Sequence, residues 1–281
     1  MSSFSLRQMV RAGSILAGVV GASIAPAVAQ QKAAAPDFSS DNVGWVGLNG
    51  TGPFFEAVPD RLPPVTSDPA HPFVPNLVGR QPTYRIADLS NPNLKPWVKE
   101  RMKKDNDEVL AGKIAFTPGS SCMPAGVPSF MAYGGPNPLY FLQTPKEIWM
   151  IVSSNQQIRR VYLDVPHSSN PKPSWYGESV GHYEGNTLVV DTIGQNDKTF
   201  VDVYRTPHTE NLHVVERWRI VNDGRMMEAT FTVDDPDAFN QPWSGMRRYR
   251  RVQQGMSEDI CAENNQHLFD YHIPVANRAD F

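Results

Sequence analysis

The chain is predicted to fold as a mainly β domain. Between residues 139 and 252 short segments repeat a period-two pattern of apolar and polar side chains. Turn signals separate those segments at short intervals. In the whole chain only residues 96–110 carry a convincing helical spacing.

The candidate strands are 139–143, 147–153, 158–163, 178–183, 187–193, 211–220, 225–233 and 246–252. Ser154-Asn155-Gln156, Glu184-Gly185-Asn186 and Asn222-Asp223-Gly224 read as turns between them. Gaps this short favour antiparallel hairpins over strand–helix–strand units. Eight strands in up-and-down order predict a lipocalin-like barrel, with a β-sandwich of the same strands as the alternative. A barrel of about eight strands is just wide enough to hold one small ligand.

The helix over 96–110 opens on Pro96, whose missing N–H is no loss at the first helical position. Val98, Met102 and Val109 share a face, and Gly112 supplies a stop. Residues 30–95 hold Pro59, Pro63, Pro64, Pro69, Pro72 and Pro75, which suit neither helix interiors nor central strands. This stretch is expected to be an extended arm, docked on the domain by Trp45, Phe54, Phe55 and Phe73.

Residues 1–29 read as a cleavable export signal. Arg7 and Arg11 precede a small-residue apolar run that ends in Ala27-Val28-Ala29. The run is short for roughly 30 Å of hydrocarbon, so cleavage rather than anchoring is expected, with the site after Ala29. No later apolar run predicts a membrane span. A mature chain of about 250 residues suits one large domain. Export places it in the periplasm or outside the cell. There its two cysteines, Cys122 and Cys261, are expected to form one disulfide rather than a reactive thiol. A net charge of −3 offers no basic field for nucleic acid. Oligomeric state is not legible.

The chemistry is sought first on the strand 211–220. Leu212, Val214, Glu216, Trp218 and Ile220 share one face, which puts Glu216 among apolar side chains. A carboxylate there is either paired, for example with Arg248 or Arg250, or has its pKa raised and suits acid–base work. His213 lies on the opposite face, so it cannot chelate a metal with Glu216 without a bulge. No metal site is expected. Asp191 would be a second buried carboxylate if its face, shared with Thr187, Val189 and Ile193, looks inward. The plainer reading is that it fixes the following loop. His167, in a Ser/Asn/Pro-rich loop, is a candidate base. Ser179 superficially fits G-x-S-x-G, but a strand rather than a helix follows it, so no nucleophile elbow is expected. Trp175, Tyr183, Asn196, Asp197, Trp218, Trp243 and Arg248 are the candidate ligand-binding side chains.

An ordered string of motifs runs from about residue 94 to 265. It includes Cys122-Met-Pro-Ala-Gly-Val-Pro, Trp175-Tyr-Gly-Glu-Ser-Val-Gly, Glu184-Gly-Asn-Thr-Leu-Val-Val-Asp-Thr, Leu212-His-Val-Val-Glu-Arg and Cys261-Ala-Glu-Asn-Asn. In these blocks the chain resembles a large group of exported bacterial proteins, mostly uncharacterised. The resemblance implies export and carries no activity. His182-Tyr183 stand where those relatives typically have Arg-Trp.

The expectation is therefore an exported enzyme doing acid–base chemistry on a small, partly apolar molecule, of lyase, isomerase or hydrolase type. Glu216 with His167 or His213 would move protons, and Asp191 would orient them. Nucleotide cofactors are scarce outside the cytoplasm, and none is expected. The alternative is a periplasmic binding or carrier protein for a hydrophobic ligand. A structural or envelope-interaction role is a third reading.

Overall fold

The computed structural model describes residues 35–39, 43–48, 54–73, 85–132, 138–152, 157–258 and 260–261. The signal-like segment, the turn 154–156 and the end of the last motif lie outside the described residues.

The described strands, in chain order, are β1 (Val43–Gly47), β2 (Glu56–Ala57), β3 (Leu139–Gln143), β4 (Glu147–Val152), β5 (Gln157–Leu163), β6 (Glu178–Glu184), β7 (Thr187–Ile193), β8 (His213–Val221), β9 (Met226–Asp234) and β10 (Trp243–Gln253). One α-helix, α1 (Pro96–Leu110), precedes β3, on the bounds its sequence predicts. Among the described residues, no helix is long and apolar enough to cross a membrane.

Strands β3 to β10 pair in sequence, and β1 closes the ring by pairing with both β10 and β3. The result is a closed nine-stranded barrel, with β2 added beside β10. Two features differ from expectation. The ninth stave comes from the Pro-rich arm, so part of that arm is barrel wall rather than cover. And β5 pairs with β6 in parallel, through Tyr162↔Val180 and Leu163↔Gly181. The segment between those two strands is long enough to return the chain to the opposite end of the barrel, where a tight hairpin cannot.

Period-two alternation decides what fills the barrel. On β5 Gln157, Arg159, Val161 and Leu163 are buried, while the alternate Ile158, Arg160 and Tyr162 are exposed. On β7 Leu188, Val190 and Thr192 are fully buried. Val214, Glu216 and Trp218 on β8, Met227, Ala229, Phe231 and Val233 on β9, and Tyr249 on β10 complete the interior. Trp218 stacks on Tyr249 with centroids 6.0 Å apart and meets Phe141 edge-on at 5.7 Å.

The arm is held by a few polar clamps. Gln143 Oε1 accepts from the Phe38 and Ser39 amides at 2.7 and 3.1 Å, while its Nε2 donates to Pro36 O at 3.0 Å. Trp45 Nε1 donates to Phe38 O. Asn106, on α1, donates to Ala87 O and accepts from Ala87 N, both at 3.0 Å. The arm aromatics are anchored too: Phe55 packs on Phe231 at 4.6 Å, and Arg85 lies 3.7 Å from the Phe73 ring centroid. Cys122 and Cys261 form a disulfide across 139 residues of sequence.

Candidate functional site

Four titratable side chains meet on the outer wall of the barrel, where β6, β7 and β8 lie side by side. Alternation puts Glu178 on β6, Asp191 on β7 and His213 on β8 on the solvent face. The crossover loop after β5 then lays His167 across them. Asp191 Oδ1 accepts from His213 Nε2 at 2.9 Å and lies 3.0 Å from His167 Nε2. The other nitrogen of His167 lies 3.0 Å from Glu178 Oε1, which also accepts from the Ser168 amide at 2.7 Å. The order is thus Glu178–His167–Asp191–His213.

The loops explain why His167 stays there. Ser174 N donates to Gly194 O at 3.1 Å, and Asn196 N donates back to Ser174 O at 2.8 Å. These bonds tie the crossover loop to the segment following β7. Glu178 fixes the loop's other end through Ser168.

Both ring nitrogens of His167 face carboxylate oxygens. A protonated ring donates to both carboxylates at once, and a neutral ring, with one N–H, to only one of them. Asp191 titrates below the usual carboxylate range, chiefly because His213 hydrogen-bonds it. Burial opposes this, and His167 adds to it. His213 titrates above the ordinary histidine value, with the Asp191 hydrogen bond as the largest cause and burial working against it. Burial pushes Glu178 up, but the Ser168 and His167 hydrogen bonds outweigh it, and its pKa falls below the ordinary value. The His213 side chain keeps 41% of its surface exposed, and its Nδ1 makes no hydrogen bond to the described residues. One nitrogen is therefore held by a carboxylate while the other is unbonded among the described residues, on a side chain partly open to solvent, an arrangement that suits general acid–base work.

Glu216 is elsewhere. Its side chain and that of Arg159 are both 0% exposed, and the guanidinium reaches the two carboxylate oxygens at 3.0 and 2.5 Å. Arg159 also donates to Ser179 Oγ at 3.1 Å and to Thr192 Oγ1 at 2.9 Å. The predicted inward face of β8 is correct, but the partner is not Arg248 or Arg250. Those two alternate with inward Tyr249 and so point outward; Arg248 instead bonds Glu228 at 3.0 Å and pairs with Glu56. The face of Asp191 looks outward, so Asp191 and Glu216 do not share a cavity. A strand wall separates them, although Val190, next to Asp191 in the chain, pairs in register with Glu216. Ser179 is buried beside Arg159, bonded within the barrel.

The remaining candidates do not converge. Asn196 and exposed Asp197 sit in the loop after β7, which the Ser174 bonds place next to half-buried Trp175. Tyr183 accepts from Gln143 Nε2 at 2.9 Å, at the arm clamp. Trp218 is in the barrel core, and Trp243 packs on Phe231 and Phe239. Sequence reasoning missed Glu178 and Arg159. Both carried a signal: Glu178 has the opposite parity to inward Ser179, and Arg159 shares a face with Val161 and Leu163. Among the described residues, no three His, Cys, Asp or Glu side chains are arranged to hold a metal ion.

No protein-family model matches this chain, and no curated protein matches it in sequence. The fold and site alone define its class: a closed β-barrel carrying a carboxylate–histidine chain on its outer wall.

Proposed function

We propose that the protein is an exported enzyme doing cofactor-independent acid–base chemistry on a small, partly apolar molecule. His213 is the proton-transferring group and Asp191 its positioning residue; His167 and Glu178 complete the relay. One observation carries this reading: Asp191 Oδ1 stands within 3.0 Å of a nitrogen on each of two histidines. A carboxylate that orients an imidazole fixes its tautomer and stabilises its protonated form. Glu216 leaves the proton-transfer role, because it is the buried partner of Arg159. The disulfide, the signal-like start of the chain and its motif likeness to exported bacterial proteins support export. A carrier holding its ligand inside the barrel is less well supported, since Trp218, Phe231, Tyr249 and the Arg159–Glu216 pair occupy that space.

The test uses two generic probes, 5-nitrobenzisoxazole for proton abstraction and p-nitrophenyl acetate for hydrolysis. The wild-type chain should accelerate at least one above buffer. His213→Gln and Asp191→Asn should each lower that rate by about 10²-fold or more. Neither substitution removes a member of the neighbouring Arg217–Glu184 ion pair on the same wall. No acceleration of either probe, or a rate indifferent to His213→Gln, overturns the assignment.

A further inference from the structure

The crossover between β5 and β6 is fastened at both ends and sparsely held in between. Asp164 N donates to Gly181 O at 2.8 Å, and Ser174 N donates to Gly194 O at 3.1 Å. Between these ends Pro166, Pro171 and Pro173 have no N–H to offer. Of residues 165–173, all but His167 and Pro171 are exposed. Pro171 rests against Gly194, where a Cβ would lie 3.0 Å from Pro171 Cβ. Among the described residues, this strap hydrogen-bonds the barrel only through His167 and Ser168.

His167 spans two strands. Its Nδ1 lies 3.0 Å from Glu178 Oε1 on β6, and its Nε2 lies 3.0 Å from Asp191 Oδ1 on β7. Both distances fit a ring that donates twice, which is the protonated one. Histidine changes charge between about pH 5 and pH 8, while Asp and Glu stay ionised there. A neutral ring keeps a single N–H. Glu178 takes it at Nδ1, because the adjacent Ser168 amide already holds that carboxylate against the strap at 2.7 Å. Asp191 has His213 as a second donor at 2.9 Å. The Nε2 lone pair of the neutral ring then faces the Asp191 oxygen, a repulsive contact that opens. Of the other ionisable groups nearby, His213 on β8 reaches His167 only through Asp191. Asp164 and Lys172 flank it on its own segment, and Asp197 and Lys198 lie in the loop after β7. The His167 side chain is 22% exposed, so it exchanges protons with solvent.

We propose that residues 165–173 form a pH-gated strap, closed across β6 and β7 while His167 is charged and released from β7 when it is neutral. Release leaves Asp191 to His213 alone and opens the wall beside them. In the closed state both histidines share one carboxylate oxygen, and the strap lies over β7. The device needs only the position of His167 between two strands, and it stands whether or not His213 transfers protons.

A nitroxide on Ser169→Cys reads the strap directly. The two native cysteines are joined in the disulfide, so the introduced thiol takes the label. Electron paramagnetic resonance of the full chain should show a largely immobile label at about pH 5 and a mobile one at about pH 8. The mobile-to-immobile ratio should rise about three- to ten-fold, the value of one hydrogen bond. His167→Gln, shown folded by circular dichroism, should give the mobile spectrum at both pH values. The same label on Glu100→Cys, exposed on α1, should not respond. A ratio at Ser169→Cys that is indifferent to pH, or a pH response that survives His167→Gln, overturns the proposal. An equal response at Glu100→Cys also overturns it, since the whole fold would then be loosening rather than the strap.

Discussion

Arg159 and Glu216 face each other inside the barrel, guanidinium to carboxylate, at 3.0 and 2.5 Å with neither side chain exposed. Two charges so far from water are tolerable because each compensates the other, and because Ser179 and Thr192 take further guanidinium N–H groups. Removing one partner strands the other charge. Glu216→Leu should therefore lower the unfolding free energy by about 3–5 kcal/mol in urea titrations. The double variant Arg159→Met with Glu216→Leu should recover most of that loss, since it removes both charges. Equal losses in the single and double variants would show that the pair does not act as a unit.

This pair also shows how far the sequence reaches. Strict alternation on β8 placed Glu216 inward and His213 outward, and the structure agrees. Alternation says which face a side chain takes but not which strand lies across the barrel. The partner was therefore sought on the last strand, although β5 supplies it. The same limit hid the relay. His167 and Asp191 are 24 residues apart, and they meet only because β5 and β6 run parallel and the crossover loop returns over β7. Short gaps had predicted antiparallel pairing throughout, and a parallel step leaves no period of its own in the sequence. β1 was hidden because it is five residues long, Val-Gly-Trp-Val-Gly, and buried at every position, so it shows no period-two alternation to stand out in the arm.

His213 and Asp191 should leave opposite marks on stability. The pKa of His213 is raised on folding, so its protonation stabilises the fold. That contribution is complete below its ordinary value of 6.5 and is lost as pH rises through the raised one. Asp191 is depressed; its contribution is present above its ordinary 3.8 and is lost as pH falls through the lowered value. Between these limits the pair is doubly charged. Both groups are partly exposed, so screening limits the pair to about 0.2–1 kcal/mol. Two-dimensional NMR of the imidazole should show His213 titrating above 6.5, and Asp191→Asn should lower that midpoint. An unchanged midpoint would exclude Asp191 as its cause.

His208 should do the reverse of His213. It is buried, and burial lowers its pKa, with the Thr209 carbonyl opposing. Its Nδ1 lies 2.8 Å from Thr209 O and its Nε2 2.7 Å from the Thr199 hydroxyl. The carbonyl only accepts, so the proton sits on Nδ1 and the hydroxyl donates to Nε2. The unfolded chain takes up a proton below pH 6.5 that the folded ring does not, so stability falls as pH drops below 6.5. The slope approaches about 1.4 kcal/mol per pH unit. Thermal melts from about pH 5 to about pH 7 should show this loss, and His208→Gln should flatten it. An equally steep slope in that variant would assign the pH dependence to other groups.

The Cys122–Cys261 bridge brackets β3 to β10, eight of the nine barrel staves, and leaves β1 outside the loop. Its effect should therefore lie mainly in the unfolded chain. Closing a loop of 139 residues removes conformational entropy from that state, worth about 5 kcal/mol by the chain-entropy estimate. A cross-linked unfolded chain is also more compact, and it exposes less surface than an open one. Reduction, or the paired change Cys122→Ser with Cys261→Ser, should lower the urea midpoint and steepen the denaturant dependence, because more surface is exposed on unfolding. The two readouts separate the possible causes. A lower midpoint with an unchanged slope would place the effect in the folded wall beside Pro118–Ser121 rather than in the unfolded chain. An unchanged midpoint would mean that the bridge does not stabilise the barrel at all.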